Sequence, residues 1–258
     1  MIKSQPQGKY DVLEPIEPWS RDLSETELRL LNRIEEGLPL LADVSRADVS
    51  LIARQGDEAV IVAQAEPRSI SSLYRQPWLG KHLPLAESPL LAAGLVHGRP
   101  GQRQLKLLEQ ESTVIQQVFP VRSSAGRALA VVQIETTLIA WERQRRRHPT
   151  FRQSVQWVRS MVLHGDLAGA SRLGRFGEWD GILFVDAQYR IRYLSGIANN
   201  LYRRLGYLED LHGQHVGDLQ TRDEILVRLA LETLECQQHQ VEEGTRHWTR
   251  TVVPVWSY

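Results

Sequence analysis

The stretch DGILFVDAQYRIRYLSGIANNLYRRLGY, residues 180–207, has the clearest local pattern of the chain. Gly181–Val185 is rich in β-forming residues, and a polar turn leads from it into a second β-forming run, Arg190–Ser195. Ala198–Leu205 then has helical spacing and is followed by glycine, a residue typical of helix ends. The stretch therefore predicts a β-hairpin that runs directly into a short helix.

The residues after this stretch predict one more helix and a second hairpin. Thr221 is placed to cap a helix that runs from Asp223 to about Gln237. Two β-forming segments, Gln240–Glu243 and His247–Trp256, then flank a glycine-containing turn. The second half of the chain therefore has the order strand, strand, short helices, longer helix, strand, strand.

The residues before about position 140 predict a separate unit. Ser24 and Glu27 have the spacing of a capping box, and the apolar residues that follow favour a helix over about 24–42. Four β-forming runs lie further along: Val49–Ala53, Ala59–Ala65, Val114–Val121 and Ala128–Thr136. We expect this half to form an α+β domain with one antiparallel sheet.

A basic segment joins the two halves. WERQRRRHP, residues 141–149, carries four arginines and ends in a proline, which cannot continue a helix interior. Apolar residues spaced by four, three and four then predict an amphipathic helix: Phe151, Val155, Val158 and Val162. This stripe either packs within the chain or forms the interface of a homodimer, and the residues leave both open.

These observations predict an α+β protein of two domains, each a central antiparallel sheet flanked by helices, joined by a helix. We expect an extended arm over 1–22, a first domain over 23–140 and a linker helix region over 141–172. The second domain then occupies 173–258 and lacks a last strand.

The composition excludes several classes of partner. Lys+Arg and Asp+Glu both total 31, so the net charge is zero and nothing favours nucleic acid or an anionic membrane. The single cysteine fits a reducing compartment, and no apolar run approaches the roughly 20 residues that span a bilayer. We therefore expect a cytoplasmic protein.

The stretch at 180–207 resembles the opening of PAS domains, where two strands lead into a small helix that bears asparagine and ends in glycine. It lacks the proline that this family often carries after the second strand. The first half resembles the GAF-like N-terminal domain of one group of cytoplasmic sensor histidine kinases. The segments that carry this likeness are LPLLADVSRADVSLIA (38–53), VIVAQAEPRS (60–69), VIQQVFPVR (114–122) and PTFRQSVQWVRSMVLHGDL (149–167).

The resemblance implies a signal-input module that relays an intracellular ligand or partner through the linker helix. It also implies a homodimer, with downstream kinase domains and a response regulator as partners. Nothing in the chain resembles the phosphoacceptor helix or the ATP-binding domain of these kinases. The alternative is a free-standing GAF–PAS scaffold that dimerises and docks partners without a ligand.

The residues argue against the cofactors found in related sensors, and the identity of any cofactor stays open. The helix predicted over 223–237 holds no histidine for haem, and Cys236 lies at its far end, away from where a flavin-reactive cysteine is expected. Residues 1–150 contain no cysteine to attach a bilin. His212 and His215 have a plausible ligand spacing but no evident third ligand, so we expect no metal.

No catalytic residue is predicted, because the chain contains no GxSxG, P-loop or HExxH string. The candidates for a small-molecule pocket are Tyr193 and Trp248, aromatic residues on predicted strands of the second half. Core packing and dimer contact are the more common uses of such side chains.

Overall fold

The computed structural model describes residues 18–107, 112–243 and 246–258. Six α-helices are α1 (Glu25–Ser45), α2 (Pro89–His97), α3 (Leu138–Arg145), α4 (Pro149–His164), α5 (Gly196–Arg204) and α6 (Asp223–Thr233). The strands are β1 (Asp48–Gln55), β2 (Glu58–Ala65), β3 (His82–Pro84), β4 (Gly101–Leu107), β5 (Ser112–Arg122), β6 (Ala128–Thr137), β7 (Leu183–Val185), β8 (Ile191–Leu194), β9 (Gln237–Glu243) and β10 (Arg246–Val252).

Helix α1 begins at the predicted capping box, which is confirmed. The Glu27 amide donates to Ser24 Oγ at 3.3 Å, and the Ser24 amide donates to Glu27 Oε2 at 2.9 Å. The face that the helix buries recurs at helical spacing: Leu31, Ile34, Leu38 and Leu41, each at most 1% exposed. The helix therefore lies against the sheet along most of its length.

The first half forms one six-stranded antiparallel sheet in the order β3-β2-β1-β6-β5-β4. The two early strands and the closing hairpin are confirmed, and β1 pairs with β6 at the centre. The short strand β3 and the edge strand β4 were not predicted, because prolines interrupt the sequence between 77 and 100.

Apolar side chains pack on both faces of this sheet. On one face α1 and α4 cover the larger core, which includes Leu51, Val132 and Met161. On the other face α2 covers a smaller core that includes Ile52 and Val131. The central strands are therefore buried on both sides, which fits their long apolar runs.

The second half differs from the prediction of one central sheet. Within the described residues, β7 and β8 form one two-stranded sheet, and β9 and β10 form another. A small apolar core joins β8 to α5 and the following loop, with Ile191, Tyr202 and Val216 as members. The hairpin 180–195 and the helix that follows it are confirmed at the level of single elements.

The predicted cap of α6 is wrong. The cap position belongs to Arg222, whose side chain makes no capping hydrogen bond, and the Thr221 hydroxyl contacts Asp223 Oδ2 at 2.6 Å. The helix also ends at Thr233, because β9 takes up the chain from Gln237. The turn predicted at 244–245 lies outside the described residues.

The predicted extended arm is described only at its end. Residues 1–17 lie outside the described part. Pro18–Ser20 forms a short 3-10 helix instead of an extended segment, and Trp19 is 7% exposed within the larger core. The burial of this indole attaches the start of the described chain to the sheet.

Candidate functional site

The sheet face beneath α2 changes from apolar to polar along its strands. At the apolar end, α2 lies so close that a Cβ added to Gly94 would approach Val131 Cγ1 to 2.7 Å and Val118 Cγ1 to 2.8 Å. Toward the other end, the inward positions of β1 and β6 carry polar side chains. This polar half is covered by the segment 66–81 rather than by a helix.

One row of polar side chains crosses four strands, and we call it the carboxylate row: Asp48, Glu135, Gln116 and Arg103. Its three innermost members are 2%, 4% and 6% exposed. Gln116 Nε2 donates to Glu135 Oε1 at 2.9 Å, and Arg103 Nε donates to Gln116 Oε1 at 2.6 Å. The arginine is thus linked to the buried carboxylate through an amide, without a direct ion pair in the printed geometry.

The covering segment is anchored to this row by hydrogen bonds. Tyr74 Oη donates to Glu135 Oε2 at 2.6 Å, and Ser72 Oγ donates to Asp48 Oδ1 at 2.6 Å. The Leu73 amide donates to Asp48 Oδ2 at 2.8 Å. Each carboxylate oxygen of the row therefore accepts at least one donor, which is how buried carboxylates are usually accommodated.

Burial controls the proton affinity of these groups. Desolvation raises the pKa of the Asp48 carboxyl to about 6, against the opposing effect of its bonds to Ser72 and Leu73. Burial, together with the neighbouring Glu135 carboxylate, also raises the pKa of the Tyr74 hydroxyl. Tyr74 therefore remains a hydrogen-bond donor at physiological pH.

A second row lies next to the first, one step closer to α2. We call it the amide row: Gln64, Ser50, Gln133 and Val118, on β2, β1, β6 and β5. Gln64 Oε1 accepts the Trp78 amide at 2.7 Å, whereas its buried Nε2 has no hydrogen-bond partner. Gln133 is 5% exposed, and its Oε1 also has no partner.

These unpartnered groups are energetically expensive, because a buried donor or acceptor left without a hydrogen bond costs about 1–3 kcal/mol. Most buried polar side chains in proteins are satisfied, so each exception calls for an explanation. A free donor and a free acceptor in one row of the sheet, under a loop, have the chemistry of a small-molecule site.

A third buried polar group joins the two halves of the chain, and we call it the Asp43 clamp. Asp43, on α1 and 1% exposed, accepts two hydrogen bonds of 2.8 Å from Arg175. It also accepts the amides of Arg68 at 2.9 Å and Phe176 at 3.0 Å. Arg175 donates to the Glu66 carbonyl as well. One carboxylate thus holds α1, the start of the covering segment and the chain entering β7.

The predicted helix stripe lies inside the chain. Val158 and Val162 are 6% and 0% exposed and belong to the larger core, with Val162 close to Gly37 of α1. Phe151 is 3% exposed, whereas Val155 is half-buried. Of the two alternatives for this stripe, packing within the chain is the one observed in a single chain.

The two aromatic pocket candidates lie in different surroundings. Tyr193 is half-buried on β8, with its ring 5.4 Å from that of His148 and 5.8 Å from that of Phe151. Trp248 lines an open groove of about 450 Å³ together with Leu201, Arg204 and His247. Tyr193 is not part of that lining, and a ligand role for either residue stays a prediction.

Sequence reasoning missed the polar rows, although the strands contain a signal for them. In DVSLIA and VVQIET, polar residues alternate with apolar ones at a period of two, and the apolar positions fill the larger core. Such alternation normally places the polar face in water. Only the covering segment, which is irregular and proline-containing, makes this face an interior.

The remaining chemical candidates are isolated. Among the described residues, no group of three or more His, Cys, Asp and Glu side chains is arranged to hold a metal ion. Burial raises the pKa of the Cys236 thiol to about 11. No described helix has both the length and the apolar character needed to cross a bilayer.

A central antiparallel sheet with helices on both faces, and a polar interior beneath an irregular segment, defines a GAF-like sensory domain. The family model "Histidine kinase PdtaS, GAF domain" matches residues 19–155. The chain belongs to this family, and it therefore contains the GAF sensor domain of a histidine kinase. The match covers the whole sheet and the start of α4.

Solved structures show the same fold. The "Sensor region of a sensor histidine kinase" is 22% identical, with a TM-score of 0.67 over 90% of this chain and 87% of that one. The transcriptional regulator YaiJ is 15% identical over 53% of this chain and 94% of that one, with a TM-score of 0.38. Pseudomonas aeruginosa HmgR is 16% identical over 53% and 67%, with a TM-score of 0.39. No curated protein matches the chain.

Proposed function

We propose that this chain is the signal-input module of a cytoplasmic two-component sensor histidine kinase. A small ligand binds on the sheet face beneath the segment 66–81, and its binding changes how that segment sits on the polar rows. The chain's membership of the PdtaS GAF family supports the sensory role. The ordered downstream partners are the kinase domains and, through them, a response regulator.

The observation that carries this proposal is the Asp43 clamp. The covering segment begins at Glu66, whose carbonyl accepts Arg175, and Arg68, whose amide donates to Asp43. A ligand that shifts this segment therefore acts on the same carboxylate that holds Arg175 and the chain leading into the second half. A relay needs two arrangements that bind the ligand differently, and a buried ion pair that is either made or broken supplies them.

Helix α4 provides a second physical connection. Its N-terminal residues contact the second half, because Phe151 packs on Tyr193 and the Trp157 ring lies 5.8 Å from that of Phe184. Its C-terminal part packs on α1 through Val162. A shift of α4 relative to α1 would therefore reach the hairpin β7–β8 directly.

We propose that the second half is a PAS domain. Two strands lead into α5 and then α6, and a closing hairpin follows. The proposal also includes a homodimer. The burial of Val158 and Val162 favours a dimer contact outside the helix stripe.

The test of the function begins with the source gene. Its reading frame beyond codon 258 is sequenced, and the complete product is purified and incubated with ATP. The proposal expects a histidine-bearing helix pair, an ATP-binding domain and autophosphorylation. A stop codon directly after position 258 would overturn the proposal in favour of the free-standing scaffold, whose partners would then be sought.

A further inference from the structure

We propose that the amide row binds a small uncharged molecule that presents both an N–H donor and a carbonyl-type acceptor, such as an amide or a urea. The inference rests on the proposed function, because it names the class of ligand that the sensory face recognises. It is carried by the two unpartnered amide atoms of the row and by the charges next to them.

The donor end of the site is Gln64. The Trp78 main chain offers an N–H, and only the oxygen of the Gln64 amide accepts it, at 2.7 Å. This bond fixes the orientation of the amide, so that Nε2 is the free end. The group that this nitrogen binds must be an acceptor.

The acceptor end is Gln133, two strands away across β1. Neighbouring strands are about 4.8 Å apart, so the two glutamine backbones are separated by ~10 Å. Both side chains extend inward from the same face, which leaves a span for a few heavy atoms between the free Nε2 and the free Oε1. Ser50, which is 4% exposed, lies between them and offers a hydroxyl.

The neighbouring carboxylate row decides the charge of the ligand. Asp48 precedes Ser50 by two residues and Glu135 follows Gln133 by two, so both carboxylates border the amide row on the same face. An anion would be repelled in this buried setting, where charges are weakly screened. The anionic class of ligand is therefore excluded at this row.

A cation is disfavoured for a different reason. The carboxylate oxygens already accept donors from Ser72, Leu73, Gln116 and Tyr74, so a cation would have to replace these bonds. A ligand with donors only would also leave Gln64 Nε2 unpaired. A neutral donor–acceptor molecule satisfies both free amide atoms and disturbs neither carboxylate.

Three molecules of the same shape separate these classes: acetamide, acetate and acetamidinium. Each is titrated into the ¹⁵N-labelled chain to about 100 mM, because a ligand of four heavy atoms binds weakly. The readout is the side-chain amide resonances of Gln64 and Gln133. Gln117, an exposed glutamine on the opposite face of β5, serves as the internal control.

The expected result is a saturable shift of both buried amides with acetamide alone, while Gln117 stays unchanged. Gln133→Leu should weaken the binding of acetamide about tenfold or more, whereas Gln117→Leu should leave it unchanged. Stronger binding of acetate or acetamidinium would overturn the proposal, and so would the absence of any saturable shift at Gln64 and Gln133.

This readout separates the site from the function. Binding of acetamide to the amide row does not require the kinase domains, so a negative titration overturns the ligand class and leaves the signal-input role untouched. If acetamide binds but never changes autophosphorylation of the complete protein, the site stands and the signal-input role falls.

Discussion

Arg175 and Asp43 form a two-pronged ion pair, with both N–O distances at 2.8 Å, although 132 residues separate them in sequence. The Asp43 side chain is 2% exposed and that of Arg175 is 19% exposed. Bidentate pairs of this kind fix the relative orientation of the two groups as well as their distance. The chain entering the second half is therefore held in a defined position on α1.

Arg175→Gln is expected to lower the free energy of unfolding by about 3 kcal/mol, because it leaves the buried Asp43 carboxylate without its cation. Chemical denaturation followed by circular dichroism measures this. Arg172→Gln is the matched control: its pair with Glu235 is exposed, at 66% and 46%, and its loss should cost less than about 1 kcal/mol. Equal effects of the two variants would show that the Asp43 pair contributes no special stability.

Val158→Asp is expected to lower the free energy of unfolding by about 4 kcal/mol or more, because it places a charge in the larger core. Thermal melting measures the effect, and Gln156→Asp on the exposed face of α4 is the control. Light scattering on both variants addresses the stripe as an interface. If melting and oligomeric state stay unchanged in Val158→Asp, the stripe is neither a core face nor an interface.

Gly94→Ala is expected to destabilise the protein by about 1–3 kcal/mol, although alanine is the better helix former. The added methyl group would lie less than 3.0 Å from valine side chains of both β5 and β6. Urea midpoints compare it with Val96→Ala, at a position of the same helix that is 45% exposed. A more stable Gly94→Ala would mean that α2 does not pack tightly on the sheet.

Asp48 predicts a specific pH dependence. Because burial raises its folded pKa from 3.8 to about 6, its contribution to stability is fully present below pH 3.8 and is lost as the pH rises through 6. The effect is on the order of 3 kcal/mol. Asp48→Asn should therefore gain stability relative to the wild type between pH 4 and pH 7.

Urea unfolding at pH 4, 5, 6 and 7 measures this difference. Glu35, whose pKa burial raises to about 7, adds a similar loss in both proteins and cancels from the comparison. Asp57→Asn, in the exposed turn between β1 and β2, provides a variant with the same chemical change outside the row. A stability difference for Asp48→Asn that is constant over this pH range would contradict the burial of a charged carboxyl.

The elements that local patterns predict correctly are those stabilised by local chemistry. The capping box of Ser24 and Glu27 places the start of α1, and alternating β-formers place the hairpin β5–β6. The stripe Phe151, Val155, Val158 and Val162 predicts α4, but which surface it packs on depends on α1, more than a hundred residues earlier.

The candidate sites were not predictable in the same way. The Asp43 clamp depends on a contact across 132 residues, and one aspartate in an apolar helix gives no sign of its partner. The amide row depends on the register of four strands, which fixes the neighbours of Gln64 and Gln133 only when all four are paired. The cap assigned to Thr221 failed because its hydroxyl contacts the Asp223 side chain instead of a backbone amide.

The most direct test of the relay compares autophosphorylation of the complete gene product in three forms: wild type, Arg175→Lys and Arg172→Lys. Lysine keeps the charge and the fold but loses the two-pronged geometry at Asp43. If the clamp couples sensing to output, Arg175→Lys changes the autophosphorylation rate about fivefold or more, and Arg172→Lys does not. Equal rates for all three folded proteins would contradict a relay through the Asp43 clamp.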